Sequence, residues 1–103
     1  MTRHRLEMSQ AVRNLITHLP PELKRKVRSA FRAIATDPSQ AKELKDELVG
    51  LRSYRLGSAR IIFRLSGRVV EIIAFGPRRN IYERVTAELS LLLRRKREEA
   101  NDI

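Results

Sequence analysis

The chain has no cysteine and no tryptophan, and only three phenylalanines and two tyrosines among 103 residues. Without a thiol there is no disulfide framework, no thiolate zinc site and no cysteine nucleophile. So few aromatics make a poor platform for stacking single-stranded bases. No apolar run approaches the ~20 residues of a membrane span. The basic opening Met1-Thr2-Arg3-His4-Arg5 is followed by no apolar core of the signal-peptide kind. No glycine-rich phosphate loop or metal-ligand cluster is present, and the two histidines, His4 and His18, fall at the N-terminus and at the end of a short helix, poor places for a catalytic base. These absences predict a cytoplasmic protein that needs no metal or other cofactor and no membrane.

Acidic residues are scarce where it matters. Twenty-two Lys and Arg stand against twelve Asp and Glu, a formal +10, which favours a polyanionic partner. Between Glu47 and Glu71 there is no acid, but Arg52, Arg55, Arg60, Arg64 and Arg68 all fall there, and Arg78 and Arg79 follow. All are arginine, whose planar fork matches phosphate in two hydrogen bonds. The earlier run Lys24-Arg25-Lys26 with Arg28 reads instead as a solvated helix face.

Hydrophobic residues make up 42% of the chain, enough for a folded core, and the length is that of one domain, taken here as 1–103. Residues 3–8 read as a short strand, and Ser9 as a helix N-cap. Helical spacing of Ala11, Val12, Leu15, Ile16 and Leu19 predicts a helix over 10–19. Pro21 opens a second helix, with Leu23, Val27, Ala30, Phe31 and Ile34 on its apolar stripe and Asp37-Pro38 at its end. Residues 39–50 read as a polar connection. From residue 51 the period becomes two: 51–56, 59–65 and 69–75 are three strands joined by tight turns at Gly57-Ser58 and around Ser66-Gly67-Arg68. Gly76-Pro77 stops the third strand, and from Ile81 a helical pattern returns and fades into a charged end or tail over 94–103.

A two-residue loop at Gly57-Ser58 sets Leu56 opposite Ala59, Arg55 opposite Arg60 and Tyr54 opposite Ile61. Tyr54, Leu56, Ile61, Phe63, Leu65, Val70, Ile72 and Ala74 then share one face, to be covered by the helices. Ser53, Arg55, Arg60, Ile62, Arg64, Glu71, Ile73 and Phe75 share the other, open face. Arg64 and Glu71 make an ordinary cross-strand ion pair. Arg55 opposite Arg60 is different: like charges across a hairpin cost up to about 1 kcal/mol, and an anion between them would remove that cost. Arg78, just after the strand pair, and Tyr82, four residues on, can be brought over the same place by the turn at Gly76-Pro77.

Gly50-Leu51-Arg52, Arg55-Leu56-Gly57-Ser58-Ala59-Arg60-Ile61-Ile62-Phe63, Val69-Val70-Glu71-Ile72-Ile73 and Gly76-Pro77-Arg78-Arg79-Asn80-Ile81-Tyr82, in this order and spacing, resemble the RelE/ParE superfamily of toxins from type II toxin–antitoxin systems. The resemblance covers nearly the whole chain. It implies an α+β fold: a small twisted antiparallel sheet of about four strands, a two-helix N-terminal hairpin on one face and a C-terminal helix. It further implies a metal-independent, ribosome-dependent endoribonuclease that cuts messenger RNA by 2′-OH attack on the phosphate and is inhibited by a cognate antitoxin. By position the catalytic set is Arg55, Arg60, Arg78 and Tyr82, with Arg52, Ser53, Arg64 and Arg79 as further RNA contacts. The arginines clamp the phosphate and Tyr82 is the acid or base. The sequence departs from the pattern in having Ala59 where an aromatic is usual and Ser53 where a basic residue can stand. Two other readings remain: a ParE-like toxin that inhibits DNA gyrase, and a non-catalytic basic module that binds nucleic acid.

Overall fold

The computed structural model describes residues 3–87, the side chain of Glu47 excepted. After strand β1 (Arg5–Met8), the Ser9 hydroxyl accepts the Val12 N–H at 3.2 Å and starts helix α1 (Gln10–Thr17). This is N-capping of an otherwise orphaned donor. Pro21 stands at the first position of helix α2 (Pro21–Thr36), where its missing N–H costs nothing. Asp37 closes α2, and its carboxylate accepts from the Ser39 hydroxyl and, at 3.1 Å, the Ser39 N–H, which begins a 3-10 turn (Pro38–Gln40).

The polar connection that follows contains a two-residue strand, β2 (Lys42–Glu43), and a second 3-10 turn (Asp46–Leu48). Three long strands come next: β3 (Leu51–Leu56), β4 (Ala59–Ser66) and β5 (Val69–Pro77), the last running through Gly76-Pro77 rather than stopping before them. Each hairpin turn has glycine first, Gly57 at φ +61° and Gly67 at φ +59°, with an ordinary φ at the second residue. That is the type II′ geometry, whose twist suits adjoining strands. A helix α3 begins at Ile81 and is described through residue 87. The charged end over 94–103 lies outside the described residues.

The sheet order is β1-β5-β4-β3-β2. The expected α+β architecture stands, with a fifth strand, β2, added at one edge. At the other edge β1 runs parallel to β5. The β3–β4 register is the predicted one, Arg55 opposite Arg60. Between β4 and β5 it is interrupted. Ile62 pairs with Ala74 but Phe63 with Ile72, so Ile73 bulges out. One extra residue inverts the faces of everything beyond it.

The expected places of Ala74 and Phe75 are therefore exchanged. Phe75 packs into the helix-side core with Ile61, Phe63, Val70, Ile72 and the α2 residues Val27, Phe31 and Ile34. Ala74 lies on the other face, where Ile81 and Val85 of α3 close a second core over Leu51 and Ile62. That face is thus partly covered, and what remains open is the part next to β2. The Arg64–Glu71 pair forms as expected, at 2.8 Å.

Phe75→Ala should cost about 3–5 kcal/mol in urea unfolding, the loss for a buried aromatic; a surface residue would give well under 1 kcal/mol. Asp37 offers a pH test. The Ser39 hydroxyl first, then the Ser39 N–H, hold its carboxyl below the usual range. A lowered folded pKa gives stability that is present above the unfolded value and lost as pH falls through the folded one. The urea midpoint of Asp37→Ala should lie below that of the parent at neutral pH, and the gap should narrow below about pH 4.

Candidate functional site

The uncovered part of the sheet is a cleft of about 650 Å³, floored by β3 and β4 and walled by β2, the Asp46–Leu48 turn and the start of α3. Arg55, Arg60, Arg78, Tyr82 and Ser53 all line it. Four local features bring them there. The type II′ turn sets Arg55 across from Arg60. Gly76 is the residue opposite Arg60 on β5. The Arg78 N–H donates to the Ser58 carbonyl at 2.9 Å, tying the segment after β5 to the hairpin tip. Packing of Ile81 and Val85 then fixes α3, and with it Tyr82. Because α3 begins at 81, Arg78 sits on the turn before the helix.

Arg60 is 8% exposed. Among the described residues its guanidinium makes one protein hydrogen bond, Nη1 to the Ala59 carbonyl at 3.2 Å, and no ion pair. A buried charge without a counter-charge is costly, and here Arg55 beside it adds repulsion. Ser53 is 6% exposed and its hydroxyl lies 3.0 Å from the Tyr82 hydroxyl. This bond fixes the phenol at the cleft wall.

The other expected RNA contacts are placed differently. Arg52 points to the helix side, where it bonds Glu43 at 2.8 Å and the Ala41 carbonyl at 3.3 Å. Arg64 is held by Glu71 away from the cleft. Arg79 is exposed and does not line the cleft. Sequence reading missed Lys42 and Lys45, which line the cleft from the connection. No pattern marks them, since the strand that places Lys42 is two residues long and Lys45 lies beyond it. Arg84 was also missed. Its Nη1 lies so near Gly76 that a Cβ there would approach it to 2.8 Å, so the absent side chain lets the guanidinium lie on the β5 backbone. Glu43 and Asp46 are the acids of the cleft. Glu43 is spent on Arg52, and Asp46 adopts a left-handed φ of +58° at the lip, a local strain that the turn must hold.

Five cations against two carboxylates around one concavity, with a phenol held at its wall, can bind a phosphate and move a proton beside it. The same fold occurs among toxins. The structure resembles a mutant of the E. coli toxin RelE in the free state, with a TM-score of 0.68 at 15% identity over 84% of this chain and 94% of that one. It also resembles a chain of the toxin–antitoxin complex RelBE2 from Mycobacterium tuberculosis, with a TM-score of 0.67 at 26% identity over 75% of this chain and all of the other. A chain of the YoeB–YefM complex from Staphylococcus aureus gives 0.60 at 14% identity, over 72% and 95%. A sequence search of curated proteins finds no match. The sequence model of the ParE toxin of type II toxin–antitoxin systems, parDE, matches residues 5–82. The chain belongs to that family of toxins.

Removing either partner of the Ser53–Tyr82 bond tests the wall of the cleft. In a double-mutant cycle of Ser53→Ala and Tyr82→Phe on urea stability, the coupling should be about 0.5–1.5 kcal/mol. A coupling near zero would mean that the phenol is not held by Ser53.

Proposed function

We propose that this toxin is a ribosome-dependent endoribonuclease that cuts messenger RNA without a metal or cofactor. The observation that carries the reading is the meeting of Arg55, Arg60, Arg78 and Tyr82 in one cleft, with Arg55 and Arg60 opposite each other in the β3–β4 register. In this reading the scissile phosphate enters between Arg55 and Arg60 and relieves their repulsion. Arg78 closes on it from the turn before α3. The 2′-oxygen attacks phosphorus as its proton passes to solvent water, the bond to the 5′-oxygen breaks, and that oxygen takes the phenol proton of Tyr82, which water restores. The products are a 2′,3′-cyclic phosphate and a 5′-hydroxyl. Arginine stays protonated at all relevant pH, so the three arginines stabilise the charge of the phosphorane and Tyr82 is the group that exchanges the proton.

The remaining parts of the reading follow from this one. The toxin acts in the cytoplasm as one domain, with messenger RNA on the ribosome as its substrate. A cognate antitoxin, acidic or amphipathic, covers the basic surface. The RelBE2 structure is itself a toxin–antitoxin complex, which supports such a partner. Among the described residues no helix is long and apolar enough to cross a membrane.

The family match, to a ParE toxin, favours a second reading: inhibition of DNA gyrase with no nuclease step. Induction in a bacterial host without antitoxin separates the two. Growth arrest with codon-phased cuts in messenger RNA, abolished in Arg60→Ala/Arg78→Ala, is the expected result. Each single arginine change should lower the cleavage rate by about 10²–10³. Arrest with intact messages and damaged DNA would move the assignment to gyrase. Absence of arrest by a folded protein would remove the catalytic roles.

A further inference from the structure

On the opposite side of the sheet from the cleft, α2 and the start of the chain enclose a groove of about 610 Å³. Its rim is Arg3, Arg25, Arg28 and Arg32, with His4 beside them. Three of the arginines recur along α2 at spacings of three and four, so they share one helix face and span roughly 10 Å of it at 1.5 Å per residue. Among the described residues no carboxylate lines the groove, and none of the four arginines is in an ion pair. Like charges at these spacings weaken a helix by a few tenths of a kcal/mol each. Glu22, in the first turn of α2, is the acid nearest along the helix, and among the described residues it forms no ion pair with these arginines. Taken alone, the sequence made this run a solvated helix face; the structure makes it the wall of a concavity.

We propose that this groove is a second phosphate-backbone site, which docks the toxin on folded RNA while the cleft holds the strand to be cut. The rim selects this ligand. Phe31 and Ala35, at the bottom, are 8% and 7% exposed and Leu6 beside them is half-buried, so the polar groups that a ligand meets are the guanidinium groups and His4. Four forked side chains around one groove suit phosphate oxygens. A ligand with regularly repeating anionic groups and no need for an apolar socket is a nucleic-acid backbone. The docking role rests on the nuclease reading, whereas the binding site itself does not.

The test measures binding of the full chain to a 20-base-pair RNA hairpin between 50 and 200 mM KCl, by fluorescence anisotropy at about those salt limits. Arg25→Gln/Arg28→Gln/Arg32→Gln removes three exposed charges and should leave the thermal midpoint within a few degrees of the parent. Its affinity at the low-salt end should fall about tenfold or more, and its salt slope should fall by about 3, one per lost phosphate contact. Arg5→Gln/Arg13→Gln/Arg68→Gln removes the same charge elsewhere and should change the slope much less. Equal effects of the two triple variants would overturn the site in favour of general attraction by net charge. Unchanged RNA binding in the α2 variant with lost binding to polyglutamate would overturn it in favour of an acidic protein partner. Tighter binding to a DNA duplex of the same length would overturn the commitment to RNA. RNA affinity that depends on α2 in a chain that cuts no message would sink the nuclease reading alone. Cut messages with affinity indifferent to α2 would sink this proposal alone.

Discussion

A single bulged residue, Ile73, governs how this small sheet serves two cores. Before it, β5 alternates so that Val70 and Ile72 face the helical hairpin. After it, Ala74 is turned to the far side and Phe75 to the near side. Without the extra residue Phe75 would stand on the far face, where Ile81 and Val85 now lie flat against Ala74 and Ile62. The small side chain of Ala74 lets α3 approach the sheet. That approach sets Tyr82 beside Ser53, and so the geometry of the cleft wall depends on a change of register several residues away.

The second constraint is electrostatic. Cations are gathered in two places on opposite sides of the sheet, and in neither are they neutralised by neighbouring acids. The acids that do make ion pairs serve Arg5, Arg52 and Arg64, all outside the cleft and the α2 groove. Among the described residues, none of the arginines that line the two concavities has a carboxylate partner. Surface pairs of this kind contribute little stability. Their larger effect is to keep certain guanidinium groups away from ligands while leaving others free.

Much of this was legible in the sequence because it is local. Turn chemistry at Gly57-Ser58 fixes the opposition of Arg55 and Arg60, and alternation fixes the faces as far as Ile72. The helix starts at Ser9 and Pro21 are signalled by single residues. Three features were not legible. The bulge leaves no composition cue, since Ile73 is as good a strand residue as its neighbours. β2 is only two residues long and exists through its pairing with Arg52 and Ser53. The parallel seating of β1 depends on packing across the whole chain. For the same reason Lys42 and Lys45 were not seen as cleft residues, while Arg52 and Arg64 were offered as RNA contacts although their partners, Glu43 and Glu71, hold them elsewhere. Family membership is carried by the match to the ParE toxin model, and the shared fold by the RelE-type structures. The roles of individual side chains rest on the geometry of the cleft.

The crowding of Arg55 and Arg60 has a thermodynamic corollary. The folded chain gathers positive charge that the unfolded chain disperses, so any anion that settles between the two guanidinium groups binds the native state in preference. Folding and anion binding are then linked equilibria, with the native state favoured by RT ln(1 + [L]/Kd). Resistance to heat or urea becomes a property of the solution as much as of the sequence. If phosphate or sulfate occupies that place, a buffer rich in either and one made of chloride at equal ionic strength would report two different stabilities for the same polypeptide.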